Sequence, residues 1–254
     1  MKDNFSQQSA QYARFRPVYP PALYDFILSL TPARHRAWDC ATGNGQVAAV
    51  LADHFGEVWA TDISAQQLEH AIQKPNIRYA VGAAESTDFP DHYFDLITVA
   101  QAAHWFDFER FYAEVRRILA PGGLLVLWGY GLMRTESPAV DALLDRFYRE
   151  VVGSYWDAER RHVDEAYRSI PFPFAEIGAP DFRMPYRWTR AHFLGYLGTW
   201  SAVQHYRKAL GEDPVALFTP EIAAVWPEEK ELDIWFPVFV RVGRGRYVSQ
   251  VQPS

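Results

Sequence analysis

The first half of the chain alternates short apolar runs with segments of helical periodicity, and this alternation restricts the possible folds more than any other feature. The runs that predict strands lie at 37–38, 57–61, 76–81, 94–100 and 124–128. Because strands that alternate with helices of about ten residues form βαβ units, we predict an α/β fold with a doubly wound, mostly parallel sheet. Right-handed crossovers place the carboxyl ends of such strands at one edge, where ligands bind.

The second half does not continue this alternation. A helix is predicted from Ser137-Pro138, residues 153–181 are proline-rich and irregular, and helices are predicted between about 190 and 225. No linker separates the two halves, so we expect residues 1–254 to form a single domain with a helical lid insertion. The predicted parts are a core at 34–130, a helical cover around a late strand at 131–230, and a final strand at 231–243.

Charge and cysteine content exclude several classes of protein. The net charge of −6 argues against a general nucleic-acid binder, which usually needs a basic face. The single cysteine, Cys40, fits a reducing compartment, and neither a signal peptide nor a membrane span is visible. We therefore expect a soluble cytoplasmic protein, a monomer or homodimer, with no nucleic-acid or membrane partner. The eight histidines have no metal-ligand spacing, so we expect no metal.

A glycine loop follows the first predicted strand. Gly43 and Gly45 stand at a strand-to-helix turn, where glycine lets the backbone approach a ligand without a Cβ. Asp62 ends the next strand, where an acid can accept hydrogen bonds from ribose hydroxyls. This spacing predicts an adenosine-containing ligand and leaves open whether it is NAD or another one.

Asp39 separates these two possibilities. It stands four residues before Gly43, where a carboxylate would repel a pyrophosphate at the helix N-terminus. The same carboxylate suits a ligand that carries an ammonium and a sulfonium group, as S-adenosylmethionine does. The plainer alternative is that Asp39 caps the helix or the turn.

The order of five motifs then resembles a known family. The motifs are Asp39-x-x-x-Gly43-x-Gly45, Asp62-Ile63-Ser64, Ala83-Ala84-Glu85, Phe94-Asp95-Leu96-Ile97 and Pro121-Gly122-Gly123. Together they resemble class I S-adenosylmethionine-dependent methyltransferases, of the methyltransferase type 11 superfamily, over residues 34–130. The segments 12–20 and 199–203 resemble the trans-aconitate methyltransferase-like branch. The resemblance implies a seven-stranded Rossmann-like sheet, with S-adenosylmethionine as cofactor and S-adenosylhomocysteine as product.

The resemblance also implies which residues hold the donor. Gly43 and Gly45 would bring backbone against the methionine part, and Asp39 would hold its ammonium group directly or through water. Asp62 would accept from the ribose hydroxyls. The further implied donor-contacting residues are Tyr12, Arg16, Ala41, Ile63, Ala84, Glu85 and Gln101. Ala41 lies where many relatives have a richer glycine pattern.

The acceptor side is predicted from two aromatic-rich segments. His104 follows the fourth strand and is a candidate base, a residue that hydrogen-bonds the substrate, or an orienting loop residue. Trp105 either lines the pocket or belongs to the core. Residues 182–211 contain five cations, no acid and seven aromatic residues. We interpret them as a lid whose arginines grip an anionic acceptor, with Tyr196 and Trp200 at the substrate. The alternative is that these cations face solvent.

These observations favour an S-adenosylmethionine-dependent methyltransferase acting on a small molecule with a carboxylate or another anionic acceptor. A carboxylate is already ionised at neutral pH, whereas a phenol or an amine would need a base such as His104. A nicotinamide-dependent oxidoreductase on the same scaffold and a donor-binding protein without turnover are the alternatives.

Overall fold

Five strands pair in parallel at the centre of one sheet. They are β1 (Arg36–Cys40), β2 (Glu57–Asp62), β3 (Ile77–Val81), β4 (Phe94–Ala100) and β5 (Leu119–Tyr130). The computed structural model describes residues 17–245. The strand order is β3-β2-β1-β4-β5, so the chain reverses direction across the sheet between β1 and β4. Such a switch point leaves a crevice beyond the carboxyl ends of the strands.

Four further segments complete the sheet in antiparallel fashion. They are β6 (Arg134–Thr135), β7 (Ala175–Ile177), β8 (Phe182–Thr189) and β9 (Glu231–Arg244). The long strand β9 pairs with β5 and β6 on one side and with β7 and β8 on the other. Ile234 and Trp235 pair with both β6 and β8, so these two strands must lie on opposite sides of β9. The nine segments therefore fill seven positions across the sheet, which confirms the predicted Rossmann-like α/β fold.

Four of the nine helices described between residues 17 and 245 begin at a residue whose side chain caps them. Ser64 Oγ accepts from the Gln67 N–H, and the Asp107 carboxylate accepts from the Arg110 N–H. The helices are α1 (Pro21–Leu30), α2 (Gln46–Leu51), α3 (Ala65–Glu69), α4 (Phe108–Ile118), α5 (Pro138–Arg146), α6 (Arg160–Asp164), α7 (Arg190–Leu197), α8 (Ser201–Leu210) and α9 (Pro214–Val225). None of the helices between residues 17 and 245 is long and apolar enough to span a membrane.

The core lies on both faces of the sheet. Along β5, Val126 and Trp128 belong to one buried cluster, and Leu125 and Leu127 belong to the other. This alternation follows from the two-residue period of a strand. Since β5 is buried on both faces, its near-continuous apolar sequence is typical of a parallel strand covered by helices.

The sequence misplaced the start of β5. The predicted run 124–128 places the start of this strand at Leu124, but α4 ends at Ile118 and β5 begins at Leu119. Phe94 pairs with Leu119 and Leu96 with Leu124, so residues 120–123 form a bulge within the strand. Gly122 has a φ of +77°, and a Cβ on Gly123 would lie 2.9 Å from the Ala120 carbonyl oxygen. The glycines therefore shape a bulge rather than a helix terminus.

Candidate active site

A cleft opens at the carboxyl edge of the sheet. The ends of β1, β2, β4 and β5 form its floor, and the segments 156–160 and 196–201 form its cover. The cleft encloses about 1440 Å³, including its opening to solvent. It lies beside the switch point between β1 and β4, where α/β sheets bind their ligands.

The glycine loop between β1 and α2 lines one side of this cleft. Gly43 has a φ of +57°, and a Cβ added there would meet no protein atom within 4 Å. Gly45 has a φ of +79°, and its Cβ would collide with the Tyr79 hydroxyl group. Ala41 has a φ of +57°, so a residue with a Cβ adopts a left-handed conformation that costs roughly 1–2 kcal/mol. The backbone of the loop therefore has a left-handed conformation at position 41, although the residue there is alanine.

Asp39 is a buried carboxylate at the base of the loop. Its Oδ1 accepts from Thr98 Oγ1 at 2.9 Å, and its Oδ2 accepts from the Thr42 hydroxyl and from the Ala48 N–H at 3.1 Å. Burial raises the pKa of Asp39 to about 6, against the lowering effect of these hydrogen bonds. Asp39 therefore does anchor the turn and the start of α2, as the plainer prediction had it, and it also places a buried acid on the cleft wall.

Asp62 holds the two loops that meet at the ends of β1 and β2. Its Oδ2 accepts from the Gly43 N–H at 2.8 Å, and its Oδ1 accepts from the Ser64 N–H at 2.9 Å. Ile63 and Ser64, which follow Asp62, also line the cleft. The carboxylate therefore fixes the position of Gly43 while it faces the same space.

Gln101 continues the pairing of β4 with β5 through its side chain. Its Oε1 accepts from the Tyr130 N–H at 2.8 Å, and its backbone N–H donates to the Trp128 carbonyl group at 2.8 Å. Its φ of +55° is uncommon for a residue with a side chain. Strained backbone of this kind often accompanies binding sites, and both Gln101 and Ala41 line the cleft.

His104 is a buried, neutral imidazole on the cleft wall. Burial, with a smaller contribution from the charge of Arg160, lowers the pKa of His104 to about 3. Its Nδ1 lies 3.0 Å from the Tyr167 hydroxyl oxygen, and burial raises the pKa of Tyr167, so this hydroxyl group keeps its proton. Since that hydroxyl group then donates to Nδ1, we assign the ring proton to Nε2. His104 is therefore suited to donate a hydrogen bond and is a weak base near neutral pH.

The cover places an arginine among aromatic rings. The Arg160 guanidinium carbon lies 4.6 Å from the centre of the Trp156 ring, and Arg160 Nε donates to Tyr148 Oη at 2.8 Å. The Tyr148 hydroxyl group in turn donates to the Asp164 carboxylate. The ring centres of Trp156 and Trp200 are 5.4 Å apart. The hydrogen bond from Nε to Tyr148 and the stacking on Trp156 therefore hold the arginine, and neither contact uses its terminal nitrogen atoms.

The first described residues close one end of the cleft. Pro17 and Tyr19 line it, and the Tyr186 hydroxyl group on β8 holds the residue between them. Tyr186 Oη accepts from the Val18 N–H at 2.6 Å and donates to the Val18 carbonyl oxygen at 2.9 Å. Tyr186, on a strand at the edge of the sheet, therefore fixes the wall of the cleft at Val18.

The cations of the predicted lid do not lie in the cleft, although Tyr196 and Trp200 of the same segment do. None of its five cations (Arg183, Arg187, Arg190, Arg207 and Lys208) belongs to the described lining of the cleft. Arg187, Arg190 and Arg207 pair with acids that lie outside residues 182–211. Those partners are Glu231, Glu228 and Asp213. The segment lacks acids because later elements supply them, so its charge imbalance does not indicate a substrate.

Most of the predicted site residues nevertheless meet in this cleft. Those that line it are Asp39, Ala41, Gly43, Asp62, Ile63, Gln101, His104, Trp105, Tyr196 and Trp200. Three others do not: Gly45 packs on Tyr79, Ala84 is buried in a core cluster, and the Glu85 carboxylate accepts from the Asp107 N–H at 3.2 Å. Tyr12 and Arg16 lie outside the described residues.

Sequence reasoning missed the residues that the cover contributes before β7. Trp156, Asp157 and Arg160 line the cleft, although 153–181 was predicted to be irregular. The prolines of that stretch begin only at Pro171. The four-residue spacing of Arg160 and Asp164, which predicts neighbours on one helical face, was the available signal of the short helix that precedes these prolines.

Comparisons with known proteins agree with this geometry. The sequence model of the methyltransferase domain family matches residues 38–127. A Dictyostelium discoideum protein assigned as a methyltransferase is 34% identical over 245 residues, which cover 94% of this chain and 93% of the relative. An uncharacterised Mycobacterium tuberculosis methyltransferase is 34% identical over 178 residues, 70% of this chain and 68% of that protein. A solved structure from Anaeromyxobacter dehalogenans, assigned as a type II methyltransferase, superposes with a TM-score of 0.84 at 43% identity, covering 91% of this chain and 99% of that one.

Proposed function

We propose, since the chain belongs to the methyltransferase domain family, that it transfers a methyl group from S-adenosylmethionine to a small molecule with an anionic acceptor group, first of all a carboxylate. The observation that carries the proposal is the cleft at the switch point. There, a glycine loop and two acids face an open space that continues to a cationic and aromatic cover.

The residues of the donor half fit a ligand with positive charge and a ribose. Asp39 and Asp62 supply negative charge on the floor of the cleft, and the charge of Asp62 adds to the cost of ionising Asp39. A ligand with a sulfonium and an ammonium group would offset this repulsion, whereas a pyrophosphate would add to it. Gly43 leaves free the space that any side chain would fill.

Each part of the donor would have its own contacts in this proposal. Asp39 and Gly43 would face the methionine part, Asp62 the ribose hydroxyls, and Ile63 the adenine ring. When bound, S-adenosylmethionine supplies a methyl group whose C–S bond breaks as an acceptor lone pair forms the new bond, while the sulfur keeps the electron pair as the neutral thioether of S-adenosylhomocysteine. The contribution of the chain is then proximity and orientation, because the methyl group is already activated.

The acceptor half supports a group that is anionic before it arrives. His104 stays neutral at physiological pH and is placed to donate rather than to remove a proton. Arg160 adds a second set of donors on the same side. A carboxylate accepts hydrogen bonds from both and needs no base, since it is ionised at neutral pH.

Calorimetric titration with S-adenosylhomocysteine and with NAD tests the donor. We expect saturable binding of S-adenosylhomocysteine that Asp62→Ala weakens by at least about tenfold, and no binding of NAD. The exposed Asp88→Asn variant is the charge-matched control and should bind as the wild type does. Binding of NAD in place of the methyl-donor product would overturn the proposal in favour of an oxidoreductase.

The dependence of the methyl-transfer rate on pH tests the acceptor group. With a carboxylate acceptor and a neutral His104, the rate should have no inflection near pH 6.5 that depends on this residue. An inflection there that His104→Ala removes would identify His104 as a base and would point to a phenol or an amine as the acceptor.

A further inference from the structure

Arg160 has hydrogen-bonding capacity that the described part of the chain does not use. Its Nε donates to Tyr148 Oη and lies 3.4 Å from Asp164 Oδ1, yet neither terminal nitrogen donates to any residue between 17 and 245. The side chain retains 20% of its exposure, on the cleft wall. A guanidinium group whose Nε is held, while its terminal nitrogens have no described partner, is preorganised for a planar oxyanion, which it binds through two parallel hydrogen bonds.

The neighbours of Arg160 indicate which side of the cleft it lines. Its positive charge disfavours protonation of His104 and lowers the pKa of that imidazole, so the two groups lie in the same electrostatic environment. His104 lies just beyond β4, close to Gln101, whereas the donor acids stand at β1 and β2. Helix α6, which begins at Arg160, also packs against residues 103–105, so Arg160 faces the acceptor half rather than the donor half.

The surroundings of Arg160 are apolar and aromatic. Trp156, Tyr196 and Trp200 line the same part of the cleft, with ring centres 5.4 Å apart for Trp156 and Trp200 and 5.9 Å apart for Tyr196 and Trp200. Flat aromatic walls bury the carbon skeleton of a ligand and cost little conformational entropy. Only one end of a bound acid would then need a charged partner.

The charge balance of the lining limits how many anionic groups the acceptor carries. Among the described residues that line the cleft, Arg160 is the single lysine or arginine, while Asp39, Asp62 and Asp157 are acids. A second carboxylate on the acceptor would find no further cation among the described residues of the lining. Burying such an unpaired charge is costly.

We propose that Arg160 determines acceptor specificity and that the acceptor is a monocarboxylic acid whose apolar, preferably flat, body lies against Trp156, Tyr196 and Trp200. This inference rests on the proposed methyl transfer to an anionic group and narrows its substrate class. Arg160 binds the carboxylate, and the aromatic wall excludes water from the rest of the molecule.

The test is a binding measurement with a matched acid and amide. Protein saturated with S-adenosylhomocysteine is titrated calorimetrically with trans-cinnamate, with trans-cinnamamide and with the tricarboxylate trans-aconitate. We expect the wild type to bind cinnamate at least tenfold more tightly than the amide and than trans-aconitate. Arg160→Gln should weaken cinnamate binding about 30-fold and leave amide binding unchanged. Arg161→Gln, which removes the exposed neighbouring charge, should behave as the wild type.

The outcomes separate this inference from the function on which it rests. Unchanged cinnamate affinity in an Arg160→Gln protein that still binds S-adenosylhomocysteine would overturn the role of Arg160. Tighter binding of trans-aconitate than of cinnamate, or no binding of cinnamate by a wild type that binds S-adenosylhomocysteine, would overturn the substrate class. Failure of the wild type to bind S-adenosylhomocysteine would instead refute the proposed function, and cinnamate titration of the free protein would still decide the role of Arg160.

Discussion

Replacing Asp39 by asparagine should make the protein more stable near neutral pH. Burial raises the pKa of Asp39 from 3.8 in its ordinary environment to about 6 in the folded protein. Because the folded pKa lies above the unfolded one, the folded state gains stability from protonation at low pH and loses it as the pH rises through about 6. At 1.36 kcal/mol per pKa unit, the ionised carboxylate costs about 3 kcal/mol of the free energy of unfolding at pH 7.5.

Asparagine can keep the hydrogen bonds that Asp39 makes. Its carbonyl oxygen in the place of Oδ2 accepts from the Thr42 hydroxyl and the Ala48 N–H. Its amide nitrogen in the place of Oδ1 donates to Thr98 Oγ1, since that hydroxyl group can turn its hydrogen toward the Trp38 carbonyl oxygen, 3.3 Å away. The substitution therefore removes a buried charge and keeps a hydrogen-bond partner for both the oxygen and the nitrogen of the carboxamide.

Urea unfolding at pH 7.5 and at pH 5.0 measures this effect. We expect Asp39→Asn to be more stable than the wild type by about 3 kcal/mol at pH 7.5, and the gap to narrow by about 1.4 kcal/mol at pH 5.0 as the wild-type carboxyl group becomes protonated. The exposed Asp88→Asn variant controls for net charge and should differ from the wild type by less than about 0.5 kcal/mol.

The same substitution should weaken binding of the donor product. Asp39 lines the cleft, so its loss should raise the Kd of S-adenosylhomocysteine at least about tenfold at pH 7.5. A variant that is less stable than the wild type by the same amount at both pH values would refute the reasoning, because its hydrogen bonds would then outweigh the burial of the charge.

Three further substitutions test the loop and the cleft wall. Gly43→Ala should cost about 1–2 kcal/mol of the free energy of unfolding through its positive φ alone, and it should weaken S-adenosylhomocysteine binding. Gly45→Ala should cost at least about 1 kcal/mol more, because its Cβ collides with Tyr79, and equal losses in urea unfolding would contradict this. Ala41→Gly should change the unfolding free energy by between 0 and about +1 kcal/mol, because relief of the left-handed strain outweighs the backbone entropy of glycine; a loss above 1 kcal/mol would count against strain at this position.

The sequence predicted the sheet well, and it predicted Asp39 and Asp62 at one edge of the sheet, because both depend on local patterns. The apolar run of β4 and the caps at Ser64 and Asp107 are encoded within a few residues of where they act. Parallel pairing then brings Asp39 and Asp62 to one edge, because the carboxyl ends of parallel strands lie side by side.

The cover was harder to predict, because its charges are paired over long sequence distances. Arg187 pairs with Glu231 across the β8–β9 ladder, a contact that the composition of residues 182–211 cannot reveal. Glu85 was expected at the adenine ring, but its carboxylate binds the Asp107 N–H near the start of α4. Arg160 was missed for the opposite reason, since the prolines at 171–180 obscured the short helix before them.

The place of β9 in the sheet also bears on how a cell must make this protein. Tyr186 holds the cleft wall at Val18, 168 residues away in the sequence, and its strand β8 pairs only with β9 within the described sheet. A nascent chain on the ribosome therefore completes the cleft only after residues 231–244 have emerged. Until then, β5 has no antiparallel neighbour, and its apolar edge is a surface on which chaperones would act.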